Sequence, residues 1–351
     1  LIVSINSIAK IEIAPLNYEK NKSLTAEQKC TSVDYEKELG PVRNQRKYGN
    51  CYAHTDADLI SHALGVKPPA QVSALDVTTN YYNFNISQIN ELSPFEKQFL
   101  LNKQSQTTLE EHSKNNESST EAIDQLAGGD AVKSTLIMNT RKYLCAAEGT
   151  DDLDFEEEVQ KLQNVITTQR EKGNTDCPQQ GEFKVIKTSA RVINDIVAER
   201  ISRNCKKIPF NNSLVAKSYK GTPQQLIEHM NRQLDLGNIV GISYYPAFMR
   251  KKDDGDHARH ASSIIGRKYE NGKCWYKLRN SWGPTCDAIK SKETRCGSSM
   301  RSRDVTCTNY DYTDQIKCVH GGAIWINQDS LAPALIKLDI VEKLAIPRAT
   351  K

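Results

Sequence analysis

Cys51 is the residue whose chemistry most needs deciding. It sits in the stretch NQRKYGNCYA, with Gln45 six positions upstream. A helical pattern runs over 50–63 and is ended by Gly65 and Pro68-Pro69. Asn50 reads as its N-cap, a side-chain oxygen accepting from an orphan N–H of the first turn. Cys51 is then the first helical residue, where the positive end of the helix favours thiolate, the nucleophilic form. A nucleophile needs a base, and the base needs an orienting partner. Far downstream, RHASSIIGRKYENGKCWYKLRNSWG places His260 at the opening of one apolar strand and Asn280 at the close of the next. A hairpin between them brings both to one end of a sheet. Asn280 can accept the imidazole N–H and fix ring and tautomer. Gln45 supplies an amide donor that, with the backbone N–H of Cys51, can hold a developing oxyanion. Singly, each residue has an ordinary reading: a bridged or buried thiol, a polar histidine at a strand start, a turn asparagine, a surface glutamine. It is their joint order that points to acyl transfer.

The elements that must position these groups sit in a chain of 351 residues, 38% of them hydrophobic, enough for a sizeable core in one large domain or two lobes. Lys and Arg number 47 against 43 Asp and Glu, scattered along the chain, so nothing points to nucleic acid or an anionic membrane surface. No apolar run approaches the roughly 20 residues of a membrane helix. The opening LIVSINSIAKIEIAPL has no basic n-region and reads as a processed or trimmed start. Ten cysteines favour an oxidising compartment. None forms a C-x-x-C pair, so Cys286, Cys296, Cys307 and Cys318 read as disulfide formers and no metal site is expected. If Cys51 stays reduced, at least one other cysteine is unpaired.

Residues 1–29 read as an extension or propeptide remnant. Residues 30–220 read as mainly helical, with helices over 50–63, 129–143 and 155–168 and insertions at about 85–119 and 150–220. Residues 221–351 read as mainly β, with strands over 239–243, 261–266, 274–279 and 323–326 and a Cys-rich insertion at about 284–320. The fold class is α+β, with a cleft between a helical and a β-rich part as the natural place for a site.

Gln45-x5-Cys51-Tyr52-Ala53 with Gly49, then His260-Ala261, then Asn280-Ser281-Trp282-Gly283, resembles the papain-like (C1) cysteine peptidases. Val33-Asp34-Tyr35 resembles the start of the mature enzymes, Gly128-Gly129 the glycine pair that binds extended substrate, and Gly322-Ala323-Ile324-Trp325-Ile326 the closing strand of the β lobe. The likeness covers about 31–146 and 222–327, with interruptions. It implies a two-lobe fold, a helical left lobe and an antiparallel β-barrel-like right lobe, and a peptidase working through an acyl-enzyme without a cofactor. By the same resemblance Cys51 is the nucleophile, His260 its proton partner, Asn280 the orienting group and Gln45 the oxyanion donor. Trp282 shields the Asn280–His260 hydrogen bond, and Gly128, Gly129 and Ala261 border the substrate. His257 and His54 are rival bases. Only His260 has the family's six-residue step to a glycine, Gly266, and His54 lies one turn along the helix of Cys51, pointing along its face.

The chain departs from the family in three places. Tyr48 and Leu126 stand where relatives carry a disulfide next to the nucleophile, so the two are expected to approach each other. Arg259 precedes the histidine; its charge disfavours imidazolium unless it points to solvent. The NSWG motif runs into the Cys-rich insertion, a stapled loop that either shapes substrate access or is merely surface. His260 follows Cys51 by 209 positions, beyond the roughly 130–150 usual for the family. Alternatives remain a catalytically silent binding protein and a transpeptidase or exopeptidase. The expected partner is a polypeptide substrate, with no nucleic acid or membrane, and the chain is expected to be an exported monomer.

Overall fold

A computed structural model describes residues 30–46, 50–83, 129–151, 197–210, 214–249, 259–285, 289, 292–298, 305–311, 314–319 and 322–343. The chain has the α+β architecture expected from its sequence. Four helices come early: α1 (Glu36–Leu39), α2 (Cys51–Leu64), α3 (Ala74–Asn83) and α4 (Ala131–Met138). After a helical stretch at 197–204, α5 (Pro223–Asp235) and a short α6 (Gln328–Leu331) follow. The strands are β1 (Val33–Asp34), β2 (Tyr143–Cys145), β3 (Lys207–Pro209), β4 (Leu214–Tyr219), β5 (Val240–Tyr244), β6 (His260–Glu270), β7 (Lys273–Arg279), β8 (Lys292–Ser298), β9 (Val305–Asp311), β10 (Ile316–Cys318), β11 (Ala323–Asn327) and β12 (Leu335–Lys343).

Eight strands form one sheet in the order β10-β11-β7-β6-β5-β12-β4, with β1 beside β6. Its pairs are antiparallel. The β6–β7 hairpin turns on Asn271-Gly272, both at positive φ, the two-residue connection whose twist suits paired strands. Successive β6 residues face opposite ways. Ile264 joins one hydrophobic cluster, with α5 and the inner faces of β5, β7, β11 and β12, while Ile265 joins a second with α1 to α4. Gly266 takes β1 at close range; a Cβ there would lie 2.9 Å from the Val33 carbonyl oxygen.

Several expectations are revised by long-range pairing. β4 falls before residue 220 yet pairs with β12, and β12 itself had no counterpart among the expected strands. The helix over 129–143 stops at Met138, because Tyr143–Cys145 pairs with β3 and Cys145 is bridged to Cys205. α5 was not anticipated, although Thr222 and Gln225 form a reciprocal capping box with Pro223 opening the helix. A second bridge, Cys30–Cys274, ties the start of the described chain to β7. Cys318 is also disulfide-bonded. The Cys-rich insertion contributes a β8–β9 hairpin. The expected helix over 155–168, Tyr48, Leu126 and Gly128 lie outside the described residues. Among the described residues no helix is long and apolar enough to cross a membrane.

Candidate active site

Cys51 is the first residue of α2, as the sequence places it, and its thiol is unbridged. Asn50 stands at the N-cap position without capping. It is fully buried, and its Nδ2 donates to Thr78 Oγ1 at 2.9 Å, turning the side chain toward α3 instead of the first turn. The expected thiolate preference is also corrected. Burial pushes the Cys51 thiol up, outweighing the lowering by the backbone of Ala261 and then by that of Tyr52 and Cys51. The helix end does help the anion, but losing water costs more. The influence of Ala261 places the start of β6 against the sulfur.

His260 opens β6, and Asn280 follows the last residue of β7, so the hairpin register sets them at the same sheet end. His260 Nε2–H donates to Asn280 Oδ1 at 2.8 Å, and both residues are buried. The imidazole packs against Trp282, with ring centroids 4.8 Å apart, and meets the edge of Tyr244 at 5.6 Å. Ser262 Oγ reaches the same Asn280 oxygen at 3.5 Å and lies 3.1 Å from the Tyr244 hydroxyl. With Nε2 so engaged, Nδ1 is the ring nitrogen left to exchange a proton with a neighbour.

Gln45 is buried beside this cluster. Its backbone N–H donates to the Ser281 carbonyl at 2.7 Å, and the Ser281 hydroxyl donates to Gln45 Oε1. That second bond fixes the amide with its oxygen toward Ser281 and its Nε2 end turned away from that hydroxyl. Asn44 forms an isolated bridge with Trp282, so the segment carrying Gln45 and the one carrying Asn280 travel together. Gly129 lies against the Tyr52 ring, where a Cβ would come within 2.6 Å. Arg259 is exposed, and solvent screens its charge.

What holds these segments in register is a buried ionic cluster that sequence reading missed. Arg279 Nε donates to Asp58 Oδ2 at 3.0 Å, and its other nitrogens donate to the carbonyls of Gly40 and Pro41 at 2.7 Å. Arg43 donates to Asp58 Oδ1 at 2.5 Å, to Asp151 Oδ2 at 3.0 Å and to the Val72 carbonyl at 2.7 Å. Burial alone would raise the Asp58 carboxyl, but the two guanidiniums more than offset this and hold it below its ordinary value. The only sequence signal was an aspartate on the apolar face of α2. His257 lies outside the described residues. His54 is buried in the same cluster, and burial, then Arg43, pushes it down to about 4. Among the described residues no group of side chains is arranged to hold a metal ion.

No protein-family model matches the chain, and no curated protein matches it in sequence. Among solved structures it is similar to a recombinant stem bromelain precursor, 10% identical, TM-score 0.42, covering 90% of this chain and 71% of that one. It is also similar to proCathepsin B S9 from Trypanosoma congolense, 10% identical, TM-score 0.44, covering 96% and 86%. A third is the digestive procathepsin L 3 of the Tenebrio molitor larval midgut, 10% identical, TM-score 0.37, covering 91% and 75%.

Proposed function

We propose that this chain is a papain-like cysteine peptidase that cleaves internal peptide bonds of a polypeptide substrate. The observation that carries the reading is the 2.8 Å bond from His260 Nε2 to Asn280 Oδ1, made where the start of β6 meets the Cys51 sulfur. A histidine held this way presents Nδ1 to accept the thiol proton, and the imidazolium it becomes is stabilised by the Asn280 oxygen. The thiolate attacks the substrate carbonyl carbon. Charge moves to the carbonyl oxygen, where the Cys51 N–H and Gln45 Nε2 receive it. His260 returns its proton to the leaving amine as the C–N bond breaks, and an acyl-enzyme thioester remains. A water gives its proton to His260, attacks the thioester and releases the acid. Trp282 over the imidazole excludes water from the hydrogen bond to Asn280, while Gly129 and Ala261 border the bound chain. No cofactor, nucleic acid or membrane enters this chemistry, and the chain acts as a monomer.

The raised thiol of Cys51, a half-buried residue, favours binding without turnover as a second reading. In the peptidase reading, substrate binding and the His260 proton exchange offset the burial cost. Hydrolysis of unfolded protein and fluorogenic peptides under mild reductant separates the two. Turnover that vanishes in Cys51→Ala supports the peptidase, whereas turnover retained in that variant overturns it. The disulfides Cys30–Cys274 and Cys145–Cys205 are consistent with an oxidising, exported compartment.

A further inference from the structure

Asn280 is held at one end only by protein. Its Oδ1 accepts from His260 and Ser262, whereas its Nδ2 is buried with no protein partner among the described residues. Among the other buried nitrogens in that condition, Arg43 Nε and His54 Nδ1 belong to the same cluster. All three residues line one cavity, together with Thr55, Asp58 and Arg279, and it has about 10 Å³ for the centre of a water-sized particle. A buried water needs about that much room and two to four polar partners.

We propose that one water molecule occupies this cavity and that His54, acting through it, is a positioning residue for Asn280 and hence for His260. The valences match. Arg43 Nε–H and Asn280 Nδ2–H are donors that the two lone pairs of a water accept, and one of its O–H groups donates to His54 Nδ1. That last bond requires neutral His54. The groups facing it are Arg43, Asp58, Asp151 and Arg279, whose charges balance, and burial disfavours a further cation among them. A chloride would instead need three donors and would bring a negative charge beside Asp58.

The consequence for the site follows from the shape of an amide. The oxygen and nitrogen ends of Asn280 are nearly isosteric, so only their hydrogen-bond partners choose between the two orientations. Turned over, Asn280 would set an N–H against the Nε2–H of His260. The ring would then have to move its proton to Nδ1, where it could no longer accept one from Cys51. A water holding Nδ2 from behind therefore selects the imidazole tautomer in front, although His54 touches neither substrate nor Cys51 Sγ.

This inference rests on the peptidase reading for its role but not for its detection. In a crystal structure of the wild-type chain, density for one water within hydrogen-bond reach of Arg43 Nε, His54 Nδ1 and Asn280 Nδ2 is expected. Absence of a peak, or an anomalous peak there after growth in bromide, overturns the proposal. The second readout is the rate of Cys51 alkylation by iodoacetamide against pH, measured with peptide turnover in wild type, His54→Phe and His54→Gln. In His54→Phe, which lacks the acceptor, the midpoint of alkylation moves to higher pH and kcat falls about tenfold with KM unchanged. His54→Gln, whose amide oxygen can accept from the same water, returns to within about threefold of wild type. An unshifted profile in folded His54→Phe, or a glutamine variant no better than the phenylalanine one, overturns the positioning role. If His54→Phe does not fold, the wild-type density and His54→Gln still decide. If no form hydrolyses peptides while density and alkylation behave as stated, the peptidase reading fails and this one stands.

Discussion

Two histidines are rivals for the proton partner of Cys51, and they have opposite surroundings. His260 comes from a sheet end, across a gap in sequence of more than two hundred residues, and has a carboxamide oxygen on one nitrogen and an indole over its face. His54 comes from the same helix, three residues on, and is enclosed by two guanidiniums and two carboxylates with one nitrogen unpartnered by protein. In the proposed mechanism the proton acceptor faces the nucleophile from another element with its cationic form supported, and His260, bonded to Asn280, is given that role. His54 is kept neutral by burial, which suits it to accept a hydrogen bond and not to carry a charge.

The comparison is broken most decisively by activity. His260→Ala is expected to lose about 10⁴-fold in kcat toward a fluorogenic peptide. His54→Gln should stay within about threefold of wild type; equal losses in the two would erase the distinction. Gln45→Ala removes one oxyanion donor and should lower kcat by about 10²-fold or more with little change in KM. Asn280→Ala should cost about 10²-fold in kcat by loosening the imidazole, and a loss confined to KM would assign it to substrate binding instead.

Stability sharpens the same contrast. The folded-state value of His54 lies near 4, below the ordinary 6.5, so the unfolded chain binds more protons between these limits. Its contribution is complete above about pH 6.5 and is lost as pH falls through about 4, by about 3–4 kcal/mol. Urea unfolding across this window should show a steeper acid loss in wild type than in His54→Gln; parallel curves would refute the buried neutral assignment. The smallest effect is expected from Ser281→Ala, which frees the Gln45 amide oxygen. A loss of about threefold in kcat matches one neutral hydrogen bond of about 0.5–1.5 kcal/mol.

The parts of this site that could be read from sequence are those encoded locally. The α2 pattern, the Asn271-Gly272 turn and the apolar alternation of β6 and β7 each depend on neighbours a few residues away, and from them the meeting of His260 with Asn280 follows by register. What was illegible depends on distant partners. Asn50 looks like a cap until Thr78 is folded against it. Cys51 looks like a ready thiolate until the packing around its sulfur is known, because desolvation has no local signature. Asp58 and the two arginines read as three separate charges, and β12 as an unremarkable tail, until the sheet brings them together. Gln45 was found by its spacing, but its dependence on Ser281 was not, since side-chain orientation is decided by contacts.

The Cys30–Cys274 bridge closes a covalent ring around Cys51, Gln45 and His260. A single cut in the backbone anywhere between residues 30 and 274 therefore opens the ring without dividing the molecule. Such a nicked chain would run as one species on a non-reducing gel and as two after reduction, so its apparent integrity depends on whether thiols are present. For a protein assayed in reductant, the conditions that keep Cys51 reduced are also those that could let a cut chain come apart.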